Sequence, residues 1–173
     1  MPKLVAVIGG KHSGKTTVVE HLIVELKHRG YRVGAIKEMV RIPTLDTPGT
    51  ETNRYTNAGA EIIVAVPRTE TVMFIKKRLN IKEILPYLDG LEYAILEGFE
   101  HELTLPKIIA ARTAEEVKNY LASSAIAVSG LIMESKPEIK KAEALKIPMF
   151  KSLTQAEELA DLVEKKAGDV KSG

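Results

Sequence analysis

The residues Gly9-Gly10-Lys11-His12-Ser13-Gly14-Lys15-Thr16 satisfy the pattern G-x-x-x-x-G-K-[ST] in full. That spacing serves one chemistry, the capture of a polyphosphate tail. Glycines in such a loop adopt backbone angles closed to other residues, so successive N–H groups turn inward around the α- and β-phosphates. Lys15 is expected to reach the β- and γ-phosphates and the Thr16 hydroxyl to ligate Mg2+. Lys11, His12, Ser13 and Thr17 complete the nucleotide-binding stretch, with His12 expected to contribute its backbone rather than catalysis. The helix that opens at the end of the loop adds the positive end of its dipole.

A loop of this kind works with a carboxylate that holds Mg2+ or its water shell near the β- and γ-phosphates. Two candidates compete. Asp46, in Asp46-Thr47-Pro48-Gly49, fits a D-x-x-G pattern. The preceding Arg41-Ile42-Pro43-Thr44-Leu45 does not read as a buried strand, because proline removes a ladder donor. Glu97 closes the apolar run Leu91-Glu92-Tyr93-Ala94-Ile95-Leu96 just before Gly98, and a carboxylate ending a buried strand has few other uses. Glu97 is therefore the expected acidic partner. Asp46 is expected to cap a helix over 50–58, with a metal-shell role as its other reading. Lys37 at the end of the second strand and Lys107 at the start of a later one are each read two ways, as site-lining or as plain surface. The histidines offer no third metal ligand, and His21 and His28 are expected to face solvent on one side of a helix.

These groups need a scaffold that brings strand ends together. Short apolar runs predict strands at 3–8, 31–37, 61–66, 71–75, 92–96, 107–111 and 125–129. Helical spacing predicts helices at 15–29, 50–58, 80–88, 114–121 and 154–167. The alternation predicts an α/β fold of the P-loop NTPase type: a mostly parallel twisted sheet with helices on both faces. The irregular stretches 38–51 and 98–106 follow the carboxyl ends of strands, where open α/β sheets bind ligands. The whole of 1–173 reads as one nucleotide-binding domain, with 168–173 a frayed tail.

Composition narrows the function further. The chain has 173 residues and no cysteine, which excludes disulfides, thiolate metal sites and thiol nucleophiles and suits a reducing cytoplasm. The N-terminal apolar run ends at Gly9 and is far shorter than a signal core or a membrane span. Net charge is +2 although 28% of residues are charged, so bulk electrostatics make no case for nucleic acid or membrane as a partner. Lys76-Lys77-Arg78 reads as a solvated surface cluster.

The phosphate loop, Ile36-Lys37, Asp46-Thr47-Pro48-Gly49, Ala58-Gly59-Ala60, Leu96-Glu97-Gly98-Phe99 and Pro106-Lys107-Ile108 occur together in this order. The chain thereby resembles the molybdopterin-guanine dinucleotide biosynthesis protein B (MobB) family, clearly from about Leu4 to Arg112 and more weakly beyond. The resemblance implies a GTP-binding accessory protein with Mg2+, weak GTPase activity and a homodimeric form. It also implies a role in molybdenum cofactor assembly beside a separate molybdopterin guanylyltransferase acting on molybdopterin. By position, Gly9 to Thr17 would hold phosphate and metal, Lys15 and Glu97 would be catalytic, and Lys37, Asp46, Gly49, Gly98 and Lys107 would line the site. Two departures stand out: Lys37-Glu38-Met39 where relatives often carry histidines after the lysine, and Glu100 where the usual E-G-F-K has lysine. Guanine preference rests on the resemblance alone, since the chain has no N-K-x-D segment. The competing functions are an ATP-dependent small-molecule kinase and a non-catalytic, nucleotide-switched binding module.

Overall fold

A computed structural model of the chain describes residues 1–39 and 47–167. In chain order the elements are β1 (Lys3–Ile8), α1 (Lys15–His28), β2 (Val33–Lys37), α2 (Glu51–Asn57), β3 (Ile62–Ala65), β4 (Val72–Ile75), α3 (Ile81–Ile84), β5 (Tyr93–Glu97), β6 (Lys107–Ala110), α4 (Ala114–Tyr120), β7 (Ala125–Ser129), α5 (Lys136–Ala142) and α6 (Ala156–Lys166). The chain divides into two compact units, one of residues 1–38 and 85–173, the other of residues 39–84.

The larger unit is built on a five-stranded sheet in the order β2-β5-β1-β6-β7, with every pairing parallel. Its central strands are buried along nearly their whole length, as a sheet covered on both faces demands. One face packs on α1, whose Val18, Val19, Leu22 and Leu26 recur at helical spacing, and on Leu159, Ala160 and Val163 of α6. Arg29 fastens the end of α1 to α6, donating to Asp161 at 2.7 Å, to Glu164 at 2.9 Å and to the Glu157 carbonyl at 2.8 Å. From β1 to β2 the chain crosses the sheet one way and from β6 to β7 the other. Right-handed crossovers therefore put α1 and α4 on opposite faces. The chain reverses direction at β1, and all carboxyl ends share one rim: Glu97 sits in register with Val7 on one side and Lys37 on the other.

The smaller unit holds an antiparallel pair, β3 with β4, together with α2 and α3. The predicted strands 61–66 and 71–75 are thus present but do not join the parallel sheet. The connection between them is too short for a parallel crossover, which takes a dozen residues or more. Thr50 caps α2 by accepting from Asn53 N. The predicted cap, Asp46, lies outside the described residues. The helix predicted at 80–88 is α3 followed by a 3-10 turn at Leu85–Leu88, where Pro86 lacks the donor an α-helix requires. One helix, α5, escaped the sequence reading; its Pro137 at the first turn is a start signal.

Candidate functional site

The site begins where β1 stops. Gly9 leaves the strand at φ 139°, and a Cβ there would lie 2.0 Å from the Ala110 carbonyl oxygen, so the loop passes β6 at a distance only glycine allows. His12 takes a left-handed φ of 59°, a backbone task as expected. Gly14, at φ 92°, opens α1 with no side-chain cap, and no acidic residue occupies the first helical turn. The first-turn N–H groups, unpaired within the helix, are thereby left for an anion.

Side chains from two strand ends, Lys37 of β2 and Glu97 of β5, meet those of Lys15 and Thr16 at the start of α1. Lys15 Nζ donates to the carbonyls of Gly9 at 2.9 Å and Gly10 at 2.7 Å. Thr16 Oγ1 donates to both Glu97 carboxylate oxygens, at 3.0 and 3.1 Å. Lys37 pairs with the same carboxylate at 3.0 Å. Thr16 and Glu97 make an oxygen-only donor pair of the kind Mg2+ takes beside phosphates and water. Among the described residues no group of three or more His, Asp or Glu converges as a metal centre, so this pair would need a ligand's oxygens to complete a shell.

These residues line a concavity of about 570 Å3 that includes Lys11, His12, Ser13, Gly14, Lys15, Thr16, Thr17, Lys37, Glu97 and Leu131. Ser13 Oγ is buried there without a hydrogen-bond partner among the described residues. At the flank, Glu116 accepts from Arg112 N and Nε, each at 2.8 Å. The Arg112 guanidinium holds the Glu116 carboxyl below its ordinary range, with a smaller contribution from the Lys15 charge.

Other predicted residues sit differently. Lys107 is 2% exposed and donates to the Glu100 carbonyl at 2.8 Å, so it ties down the loop after Glu97 and is not among the residues lining the concavity. Gly98 follows Glu97 at φ 96°. Glu38 accepts from Phe99 N at 2.9 Å, which latches that turn to the end of β2. Gly49 belongs to the smaller unit, and Asp46 lies outside the described residues. His28 is exposed as expected, whereas His21 is half-buried and its Nδ1 lies 3.1 Å from Ser152 Oγ.

Sequence reasoning did not foresee how tightly the turn after β7 seals the loop. Leu131 N donates to the Ser13 carbonyl at 3.1 Å. A Cβ at Gly130 (φ 86°) would lie 2.4 Å from Ser13 O and 3.0 Å from Ala111 N. Both neighbours are backbone, so Gly130→Ala is expected to cost about 2 kcal/mol or more through strain and displacement of the loop. Urea unfolding measures it, and a midpoint equal to that of the parent would mean that the loop shifts freely.

A G-x-x-x-x-G-K-[ST] loop at the reversal point of a parallel sheet, with a strand-end carboxylate touching its threonine, defines the P-loop NTPase fold. The chain belongs to the MobB family: its residues 4–133 match the family model described as molybdopterin guanine dinucleotide synthesis protein B. It is 37% identical over 112 residues to a putative molybdopterin-guanine dinucleotide biosynthesis adapter protein of Methanocaldococcus jannaschii, a match spanning 62% of this chain but only 46% of that relative. It is 31% identical over 118 residues to the Escherichia coli molybdopterin-guanine dinucleotide biosynthesis adapter protein, spanning 65% of this chain and 67% of the relative. The crystal structure of Bacillus subtilis MobB superposes with a TM-score of 0.74 at 22% identity, over 96% of this chain and 98% of that one, a likeness of fold.

Proposed function

We propose that the protein binds GTP with Mg2+, hydrolyses it slowly, and serves as an accessory factor in molybdopterin guanine dinucleotide biosynthesis. The observation that carries this reading is the meeting of Lys15, Thr16 and Glu97 at one rim of the sheet. The biosynthetic role is supported by family membership and by the word adapter in the relatives' names. An adapter acts on another protein, which supports a guanylyltransferase handling molybdopterin as its partner. In this reading the protein works as a homodimer in the cytoplasm. No helix among the described residues is long and apolar enough to cross a membrane.

The chemistry follows from the chain's own groups. The loop amides bind the α- and β-phosphates, and Lys15 exchanges the Gly9 and Gly10 carbonyls for β- and γ-phosphate oxygens, trading neutral acceptors for charged ones. Thr16 and Glu97 would hold Mg2+, which when bound neutralises charge on the β- and γ-oxygens. Lys37 keeps the Glu97 carboxylate aimed at Thr16, and the carboxylate orders the water around the γ-phosphate. Catalysis here is positioning and charge neutralisation.

Titration with GTP and ATP in the presence of Mg2+, followed by chromatography of the products, tests the reading. GTP is expected to bind more tightly and to yield GDP slowly. Tight binding without GDP would leave a nucleotide-switched adapter. ATP preference with a phosphorylated small molecule as product would make the protein a kinase.

A further inference from the structure

Beside the phosphate concavity lies a second one of about 210 Å3, and the two share Gly14, Thr17 and Leu131. The two concavities adjoin there and together form a groove with the phosphate loop at one end. Its far walls come from two segments after β7. The turn Leu131–Glu134 is fixed to the loop region, with Leu131 N on Ser13 O at 3.1 Å and Ile132 N on Ala111 O at 2.7 Å. The segment after Pro148 is held along β7: Phe150 N donates to Val128 O at 2.9 Å and Ser129 Oγ to Phe150 O at 2.7 Å. These anchors set Glu134 against Lys151, with Lys151 Nζ 3.0 Å from a Glu134 carboxylate oxygen.

We propose that this part of the groove is a purine-base subsite in which Glu134 and Lys151 read the edge of guanine. The inference rests on the nucleotide reading above and identifies the groups that select the base. Guanine presents an O6 acceptor beside the N1–H and N2–H donors. A carboxylate next to an ammonium group matches that order: Glu134 accepts from N1 and N2, and Lys151 donates to O6. Adenine in the same orientation sets its amino group against the ammonium and its N1 lone pair against the carboxylate, and both contacts repel. The chain has no N-K-x-D segment, so a carboxylate that reads guanine has to come from elsewhere. Glu134 supplies one at the far end of the groove from Lys15.

The test is competition binding against a fluorescent GTP analogue, with Mg2+, for the 173-residue chain and its Glu134→Gln variant. The competitors are GTP, ATP, XTP and inorganic tripolyphosphate. Because the Glu134 side chain is 61% exposed, the substitution leaves the core intact. The parent is expected to prefer GTP to ATP. Glu134→Gln is expected to lose about 10- to 100-fold in GTP affinity with tripolyphosphate unchanged. It should also gain XTP relative to GTP, since xanthine carries a carbonyl where guanine carries the 2-amino group and an amide can donate to it. Lys151→Met is expected to weaken GTP without affecting tripolyphosphate. If Glu134→Gln retains parental GTP affinity and base order, or if the parent prefers ATP, the base-reading assignment is wrong while the phosphate site stands. If the parent binds neither the triphosphates nor tripolyphosphate, the nucleotide reading itself fails.

Discussion

Lys15→Ala is expected to weaken Mg2+-GTP binding by about a hundredfold or more, the largest effect of any single substitution in the site. Of the two loop lysines that line the concavity, Lys11 and Lys15, Lys15 is the one at the phosphate-contacting position of the G-x-x-x-x-G-K-[ST] pattern. Its ammonium already sits within hydrogen-bond reach of two loop carbonyls, Gly9 and Gly10, so it is held over the concavity rather than swinging freely in solvent. A hydrogen bond to a charged group contributes about 1.5–3 kcal/mol, and loss of two such contacts to phosphate oxygens gives the stated factor. The neighbouring cation Lys37 cannot replace it, because it is engaged with Glu97 at 3.0 Å. Calorimetric titration measures the change, and circular dichroism checks that the fold is retained. Parental affinity in a folded Lys15→Ala protein would remove the phosphate assignment.

Glu97→Gln is expected to leave GTP bound within about tenfold of the parent and to lower Mg2+-dependent turnover by about 10²- to 10³-fold, the range seen when a preorganised electrostatic group is removed. The substitution keeps the shape of the side chain and removes its charge. Thr16 still finds an acceptor, but the pair no longer offers a carboxylate to a hard cation, and the Lys37 ammonium loses its counter-ion. Single-turnover hydrolysis across a Mg2+ titration separates the two effects, since a metal-binding defect shifts the titration midpoint. Undiminished hydrolysis in this variant would transfer the acidic role to Asp46, the competing carboxylate of the sequence reading.

Much of the scaffold and part of the site were legible from local pattern. The run Lys3–Ile8 and the runs at β5 through β7 are short, apolar and bounded by glycine or proline, and they form strands close to where they were expected. Spacing in α1 marks Val19, Leu22, Ile23 and Leu26; the structure buries Val19, Leu22 and Leu26 and leaves Ile23 half-buried. Glu97 was singled out because a carboxylate that ends a buried strand needs a reason to be there, and its contact with Thr16 is observed. Other features were invisible. Lys107 reads in the sequence as either site-lining or plain surface, yet it is buried and donates to the Glu100 carbonyl. His21 reads as solvent-facing until the segment after β7 brings Ser152 to it. The predicted strands 61–66 and 71–75 give no sign in their composition that they pair with each other rather than with the central sheet.

The sequence by itself determined the phosphate loop, the strands that deliver its partners, and the choice of Glu97 over Asp46 as the expected carboxylate. These depend on properties that belong to a few consecutive residues: glycine's backbone freedom, apolar runs and the period of a helix. Only the tertiary structure decided the strand order β2-β5-β1-β6-β7, which sets Lys37 and Glu97 side by side across 60 residues of chain. It also decided the wedge of Gly130 against Ser13 and the pairing of Glu134 with Lys151. Those contacts arise from crossover handedness and from packing between segments far apart in the chain, and no local spacing carries that information.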